Sequence, residues 1–221
     1  MLVLIRHPET ALPPGVCYGR RDVPLARDSD IAGIVVRLSS LPAFSLWSSP
    51  AVRCAAVARG FGLEIRFDGR LRELDFGAWE GRPWSDVPRA ALDDWAAHPD
   101  SFTPPGGEGM ASLVARVTAF HADLRRLPGP HVVVSHGGPL RVLGALAHGR
   151  AVDLLAASPG LGSVRFFAGW PSGADAGGDA QHDALGGDFG GAEDVAGAAA
   201  DLPPRQPGDR KRRGGRADEA G

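Results

Sequence analysis

The chain has 221 residues, of which 43% are hydrophobic and 23% are charged, and its formal net charge is −2. That length suits one α/β domain with a sizeable core and an appendage. The near-neutral balance gives no reason to expect a nucleic acid or an anionic membrane as a partner. There is no secretory leader pattern and no apolar run close to the roughly 18 residues of a membrane span. Cys17 and Cys54 lack metal-ligand or redox-pair spacing, which predicts reduced thiols in a cytoplasmic protein.

Two short apolar runs end on histidine. Residues 2–5 lead directly into Arg6 and His7, and residues 132–135 lead into His136. Such runs are typical of buried parallel strands, and ligands of open α/β sheets bind at the carboxyl ends of the strands. We therefore expect both imidazoles at one edge of a sheet.

The remaining pattern alternates between strands and helices. Further strands are predicted at residues 44–47, 63–67 and 163–167. Helical spacing of apolar residues predicts helices at residues 31–41, 50–59, 84–97, 110–127, 139–148 and 152–157. The helix after the second strand has Ser49 as its N-cap and Pro50 at its first position, which places Arg53 in an anion-binding first turn. This order predicts a three-layer α/β/α sandwich with a mainly parallel sheet.

The pattern stops near residue 170. Residues 171–221 are rich in Gly, Ala and Asp and are expected to be a disordered tail, so residues 1–170 form the predicted domain. The tail carries a basic run at residues 210–213. Such a run could contact nucleic acid or phospholipid, but a solvated tail is the favoured interpretation.

Separated motifs, which occur in the family's order, resemble those of the histidine phosphatase superfamily, the phosphoglycerate mutase-like enzymes. They are Arg6-His7, the segment 48–53 with Arg53, the segment 71–81, and Ser135-His136-Gly137 with the glycine that follows. The resemblance covers about residues 1–170. It implies a phosphoglycerate mutase-like fold, a small phosphorylated metabolite as substrate, and neither a cofactor nor a metal.

The resemblance also assigns roles. His7 would attack phosphorus as a neutral imidazole and form a phosphohistidine that water hydrolyses. Arg6 and Arg53 would bind the phosphate oxygens with forked donors. His136 would be a further phosphate clamp in the catalytic set, and Gly137 would let the backbone approach the phosphate.

Three carboxylates compete for the role of proton donor to the leaving oxygen. The family pattern places the acid at Glu73 and gives Glu80 a structural role. Asp75 is interpreted as a surface loop residue.

Two departures from the family pattern bear on the activity. Pro8 replaces the usual glycine after the first histidine, which removes a backbone donor and stiffens the loop. The segment 82–107 is short and contains only Arg82 and Arg89 as basic residues. Because mutases of the family carry a longer basic insertion there, a phosphatase is favoured over a mutase.

The segments 16–25 and 104–108 resemble the α-ribazole phosphatase branch, whose members remove the 5'-phosphate of α-ribazole phosphate in cobalamin assembly. Tyr18 could stack on a base or could equally pack in the core, and Arg20 or Arg21 could contact the phosphate. Thr10 is a further candidate contact. Phosphatases of other small metabolites remain alternatives.

A non-catalytic phosphate-binding or protein-binding module is the alternative from another class. The presence of a nucleophile, two arginines and a proton donor favours the enzyme. A homodimer is a further expectation.

Overall fold

The computed structural model describes residues 1–170, which fold around one five-stranded sheet. The strands are β1 (Leu2–Arg6), β2 (Ser45–Ser48), β3 (Ile65–Phe67), β4 (His131–Ser135) and β5 (Val164–Phe167), in the order β3-β2-β4-β1-β5. The helices are α1 (Ile31–Arg37), α2 (Val52–Arg59), α3 (Arg89–Ala97), α4 (Met110–Leu124) and α5 (Gly137–Ala147). Short 3₁₀ turns lie at Gly69–Leu71, Gly77–Trp79 and Trp84–Asp86.

Alternate residues of the central strands face two separate cores. Leu4 belongs to the core that α4 and α5 cover, whereas Val3 and Ile5 belong to the core that α1 and α2 cover. Every residue of β1 and of β4 is buried, because helices lie on both faces of the sheet. The predicted three-layer α/β/α sandwich is confirmed.

The two strands that end on histidine are neighbours in the sheet. β1 and β4 pair in parallel, with Arg6 opposite Ser135. His7 and His136 therefore emerge at the same edge, as predicted. β2 and β3 continue the parallel part of the sheet, and β5 pairs antiparallel with β1 at the other side. The sheet is thus mainly parallel, as predicted.

Two helix predictions were wrong because of local chain chemistry. The predicted helix at 84–97 is a 3₁₀ turn followed by α3, because Val87 precedes Pro88 and takes an extended conformation. The helix predicted to begin at Pro50 begins at Val52, with Ala51 as its N-cap. The Ser49 hydroxyl does not cap this helix, although it accepts a bond from the Ala51 amide. Arg53 still lies in the first turn.

The helix predicted at 152–157 is also wrong, because this segment forms turns. The Asp153 carboxylate accepts the Leu155 amide at 2.9 Å, and the carbonyl of Leu154 accepts a guanidinium N–H of Arg141 at 3.0 Å. These contacts replace the carbonyl-to-amide ladder of a helix. α1 and α4 end at Arg37 and at Leu124, a few residues before their predicted ends, and both continue as short turns.

None of the helices between residues 1 and 170 combines the length and the apolar character needed to cross a membrane. The predicted tail and its basic run lie outside the described residues.

Candidate active site

The site lies where β1 and β4 end. His7 follows β1 and donates its backbone N–H to the carbonyl of Ser135, while His136 forms the N-cap of α5. The two imidazole centroids are 5.2 Å apart with the rings nearly perpendicular. Both side chains are almost fully buried. The sheet register alone therefore brings together the two histidines that the sequence pointed to.

Arg53 joins the two imidazoles. Its Nε donates to Nε2 of His7 at 3.3 Å and to Nδ1 of His136 at 3.2 Å. Its terminal nitrogens donate to the carbonyls of Arg21 at 2.9 Å and of Gly19 at 2.6 Å. The side chain is completely buried, so its charge is balanced by these acceptors rather than by water. A cation is thus fixed beside the candidate nucleophile.

The hydrogen bonds of His7 define its tautomer. Nδ1 lies 2.7 Å from the carbonyl of Pro8, which can only accept, so Nδ1 carries the proton. Nε2 accepts from Arg53 and therefore keeps its lone pair. Burial, and then the charge of Arg53, lower the pKa of His7 from 6.5 to about 3. His7 is neutral at physiological pH, as in-line attack on phosphorus requires.

His136 is held in the complementary arrangement. Its Nδ1 accepts from Arg53, so Nε2 carries the proton and donates to the hydroxyl of Ser49 at 2.8 Å. Burial and the charge of Arg53 hold the pKa of His136 well below its usual value. The Cys54 sulfur lies 3.5 Å from Nε2, and burial raises the pKa of this thiol, which stays protonated. Ser49 belongs to the sequence motif 48–53, but the sequence does not predict its contact with His136.

Arg6 provides a second cation at the edge of the sheet. The side chain is 4% exposed and lines the cavity next to His7. One terminal nitrogen donates to the carbonyl of Pro159 at 2.6 Å. Arg6 therefore also connects the catalytic edge with the loop that precedes β5.

Glu73 reaches the same cavity from the loop after the first 3₁₀ turn. Its carboxylate accepts the backbone amides of Leu74 at 2.9 Å and of Gly138 at 3.2 Å. A side chain at position 138 would collide with this carboxylate and press on Leu113. The glycine after Gly137 thus has a steric reason, since it lets Glu73 approach the first turn of α5.

Arg116 fixes the backbone that carries Glu73. Its guanidinium donates to the carbonyls of Arg70 and Arg72, each at 2.6 Å, and to that of Glu73 at 3.1 Å. The Glu108 carboxylate pairs with it at 2.7 and 2.8 Å. Neither residue was assigned a role from the sequence. No local sequence pattern around Arg116 on α4 indicates these contacts. Glu108 lies in the segment 104–108, where the sequence indicates no role for it.

The two other carboxylates have structural contacts. Glu80 accepts the backbone amides of Arg20 at 2.8 Å, Arg21 at 2.7 Å and Phe76 at 3.0 Å, which fits its predicted structural role. Asp75 accepts the amide of Gly77 at 2.9 Å in a half-buried loop.

Arg20 was a candidate substrate contact, but its guanidinium points towards carboxylates. It lies 3.3 Å from Glu108 and 4.0 Å from Asp75. Tyr18 and Thr10, in contrast, both line the cavity. The ring of Tyr18 lies 5.2 Å from the Arg53 guanidinium carbon and 6.4 Å from the His7 imidazole. Tyr18 therefore lines the site, and it is half-buried rather than part of the core.

A cavity of about 520 Å³ opens in front of this cluster. His7, Arg6 and Glu73 line it, and most of the other lining residues are apolar. Arg53 and His136 lie behind His7 and are fully buried. Within residues 1–170, no group of three or more His, Cys, Asp or Glu side chains is placed to hold a metal ion.

Comparison with known proteins identifies the class that this fold and site define. The family model described as the histidine phosphatase superfamily (branch 1) matches residues 2–160. The chain belongs to this superfamily, whose members are phosphatases and mutases, and it is an enzyme of that class.

Individual relatives support the same class. Phosphoserine phosphatase 1 of Hydrogenobacter thermophilus is 30% identical over 64% of this chain and 73% of its own length. A structure from Escherichia coli K-12, provisionally described as an α-ribazole-5'-P phosphatase, is 27% identical with a TM-score of 0.66, covering 74% of this chain and 87% of that one. Phosphoglycerate mutase from Thermus thermophilus is 30% identical with a TM-score of 0.60, covering 74% and 90%. The chain spans from 43% to 81% of the length of several curated relatives.

The neutral state of His7 can be measured directly. In a nitrogen-15 NMR titration, we expect His7 to remain the Nδ1–H tautomer from pH 8 to about pH 4, because its pKa lies near 3. The unfolded chain takes up this proton near its usual pKa of 6.5, so the group's contribution to the free energy of unfolding falls as the pH drops through 6.5. A His7 midpoint between pH 6 and 7 would contradict the assignment.

Proposed function

We propose that the protein hydrolyses small phosphomonoesters without a metal, through a phosphohistidine on His7, and that α-ribazole 5'-phosphate is its substrate. The observation that carries the proposal is the neutral His7 imidazole, which lines the cavity together with Arg6. Its Nε2 lone pair accepts from buried Arg53 and must be released from that bond to attack phosphorus. Such a nucleophile needs no general base, because it has no proton to lose.

Positive charge would stabilise the transferred phosphoryl group. The transition state of phosphoryl transfer is loose and keeps its charge on the peripheral oxygens, so positioned cations carry much of the catalysis. Arg6 lies at the cavity wall, and Arg53 lies just behind His7. The bonds to the carbonyls of Gly19 and Arg21 use one N–H of each terminal nitrogen of Arg53, and each of these nitrogens carries a second N–H that a phosphate oxygen could accept. We therefore expect these carbonyls to guide Arg53 rather than to compete strongly with a phosphate dianion.

His136 would act beside the nucleophile. Ser49 fixes its Nε2–H, and Arg53 occupies its Nδ1. Because the same Arg53 nitrogen also donates to His7, His136 helps to hold that guanidinium beside the nucleophile. The first turn of α5, which begins at Gly137, supplies backbone N–H groups and the positive end of the helix dipole to the same region.

Glu73 would protonate the leaving oxygen and then activate the water that hydrolyses the phosphohistidine. Its carboxylate lines the cavity, and the carbonyl contacts of Arg116 fix its backbone. For each turnover the proton balance closes. In the first step the alcohol leaves with the proton of Glu73. In the second step the oxygen of a water molecule attacks phosphorus, and that water gives a proton back to the Glu73 carboxylate.

The assignment of α-ribazole 5'-phosphate is supported by the branch motifs and by one solved relative. The structural neighbour from Escherichia coli is itself provisionally identified as an α-ribazole-5'-P phosphatase. Tyr18, one of the branch-motif residues, lines the cavity close to His7. Because other relatives are a phosphoserine phosphatase and a phosphoglycerate mutase, other small phosphorylated metabolites are the alternative substrates.

Removal of the nucleophile tests the proposed hydrolysis. We expect His7→Ala to lower kcat/KM on p-nitrophenyl phosphate and on α-ribazole phosphate by at least about a thousandfold, because the covalent route is lost. Activity of the unaltered protein should be the same with and without EDTA. His148→Ala, which removes an exposed histidine at the end of α5, is the matched control. Full activity in His7→Ala, or loss of activity in EDTA, would contradict the proposal.

The role of Glu73 is tested through the leaving group. Glu73→Gln should slow hydrolysis of alkyl phosphates by roughly 10²–10⁴-fold, since their alkoxides need a proton, and should slow p-nitrophenyl phosphate far less. Steady-state kcat for both substrates measures the difference. Equal loss on the two substrates would remove Glu73 from this role.

Arg116 gives an independent check of the same step. Arg116→Lys keeps the charge but loses the forked contacts with three carbonyls and with Glu108. If Arg116 positions Glu73, its effect on kcat should depend on the leaving group in the same sense and should vanish in the Glu73→Gln background. Arg70→Lys, which changes a side chain paired with Asp68 and Asp123, is the control. If kcat of the double variant falls by the product of the two single-variant factors, Arg116 does not act through Glu73.

A further inference from the structure

The cavity extends well beyond the groups that transfer a phosphoryl group. Its volume of about 520 Å³ falls in the range that holds ligands of drug size, which is more than a phosphate with a short alcohol needs. Its lining also includes Phe76, Trp84, Trp95 and Met110, none of which belongs to the candidate catalytic cluster. A substrate that fills the cavity must place an organic group against this wall.

The wall is built from stacked aromatic rings. Trp84 and Trp95 stack with centroids 6.4 Å apart and planes inclined by 25°. Phe76 packs edge-on against both, at 5.3 Å from Trp84 and 5.9 Å from Trp95. Behind them, Phe102 stacks on Trp95 at 6.3 Å. The rings support one another, so the wall is fixed before any ligand binds.

Trp84 is the accessible member of this wall. Trp95 and Phe76 are buried, whereas Trp84 is half-exposed. Its backbone N–H donates to the carbonyl of Gly15 at 2.9 Å, and the neighbouring Pro83 forms a bridge with Val16. These contacts hold the 3₁₀ turn of Trp84 against the loop of Gly15 and Val16, which also lines the cavity.

A second arginine also lines the cavity. Besides Arg6, the one lining arginine among the described residues is Arg141. Its guanidinium donates to the carbonyl of Leu154 at 3.0 Å and to the hydroxyl of Ser158 at 2.6 Å. Both acceptors are uncharged, so Arg141 keeps its positive charge. The aromatic wall itself carries no charged group and suits the uncharged part of a substrate.

We infer that Trp84, with Trp95 and Phe76 behind it, forms a subsite for a planar aromatic ring on the leaving alcohol. This inference rests on the proposed phosphomonoesterase function and adds the residues that set its specificity. The ring lies against Trp84 while the phosphate contacts His7 and Arg6. Stacking of one base on an aromatic side chain contributes about 1–3 kcal/mol, which corresponds to at least about fivefold in affinity.

The test compares two primary-alcohol esters that differ in the ring alone, 2-(1-naphthyl)ethyl phosphate and propyl phosphate. The full chain should have a kcat/KM at least about tenfold higher for the naphthyl ester. The ratio of the two kcat/KM values should fall about tenfold in Trp84→Ala and less in Trp84→Phe, because phenylalanine keeps a smaller ring. Trp47→Ala is the control, since Trp47 is a half-buried tryptophan that packs on Phe120 outside the cavity.

A ratio that Trp84→Ala leaves unchanged would overturn the inference. Binding of the non-hydrolysable 2-(1-naphthyl)ethyl phosphonate, measured by calorimetry, separates the two claims. If no ester is hydrolysed, the proposed function fails, and the calorimetric Kd still decides on the subsite. A Kd that weakens about tenfold in Trp84→Ala supports the subsite, and an unchanged Kd rejects it.

Discussion

The buried guanidinium of Arg53 is the constraint on which the rest of the site depends. A cation removed from water needs hydrogen-bond acceptors on every side, and here they are His7, His136 and the carbonyls of Gly19 and Arg21. Meeting that need fixes both imidazoles in opposite tautomers and keeps them neutral. It also ties the loop after β1 to α2. The same charge that burial makes costly thus lies beside His7, the proposed nucleophile, where a phosphate dianion would need it.

The part of this arrangement that the sequence predicted depends on local chain order. Apolar runs that end on histidine place His7 and His136 at a strand end, and parallel pairing then places them together. The position of Arg53 in the first turn of a helix also follows from nearby residues, even though Pro50 lies before the helix rather than within it. Such features need no knowledge of distant contacts.

The features that sequence reasoning missed depend on contacts between distant segments. Arg116 binds the backbone around Glu73 from a helix more than 40 residues away, and no local pattern indicates that pairing. The turns predicted as a helix at 152–157 form because Arg141 takes the Leu154 carbonyl. The aromatic wall is intermediate, since Trp84 and Trp95 are visible in the sequence, but their shared cavity with His7 appears only in the fold.

The central claim is that His7 carries the phosphoryl group during turnover. The most direct test is rapid acid-free quenching of the full chain with a phosphorus-32-labelled phosphomonoester, followed by peptide mapping. We predict a label on His7 that is stable in alkali and lost in acid, as expected for a phosphoramidate, and absent from His7→Ala. Product formation without labelled enzyme when the reaction is quenched during the first turnover, or a label on another residue, would contradict the account.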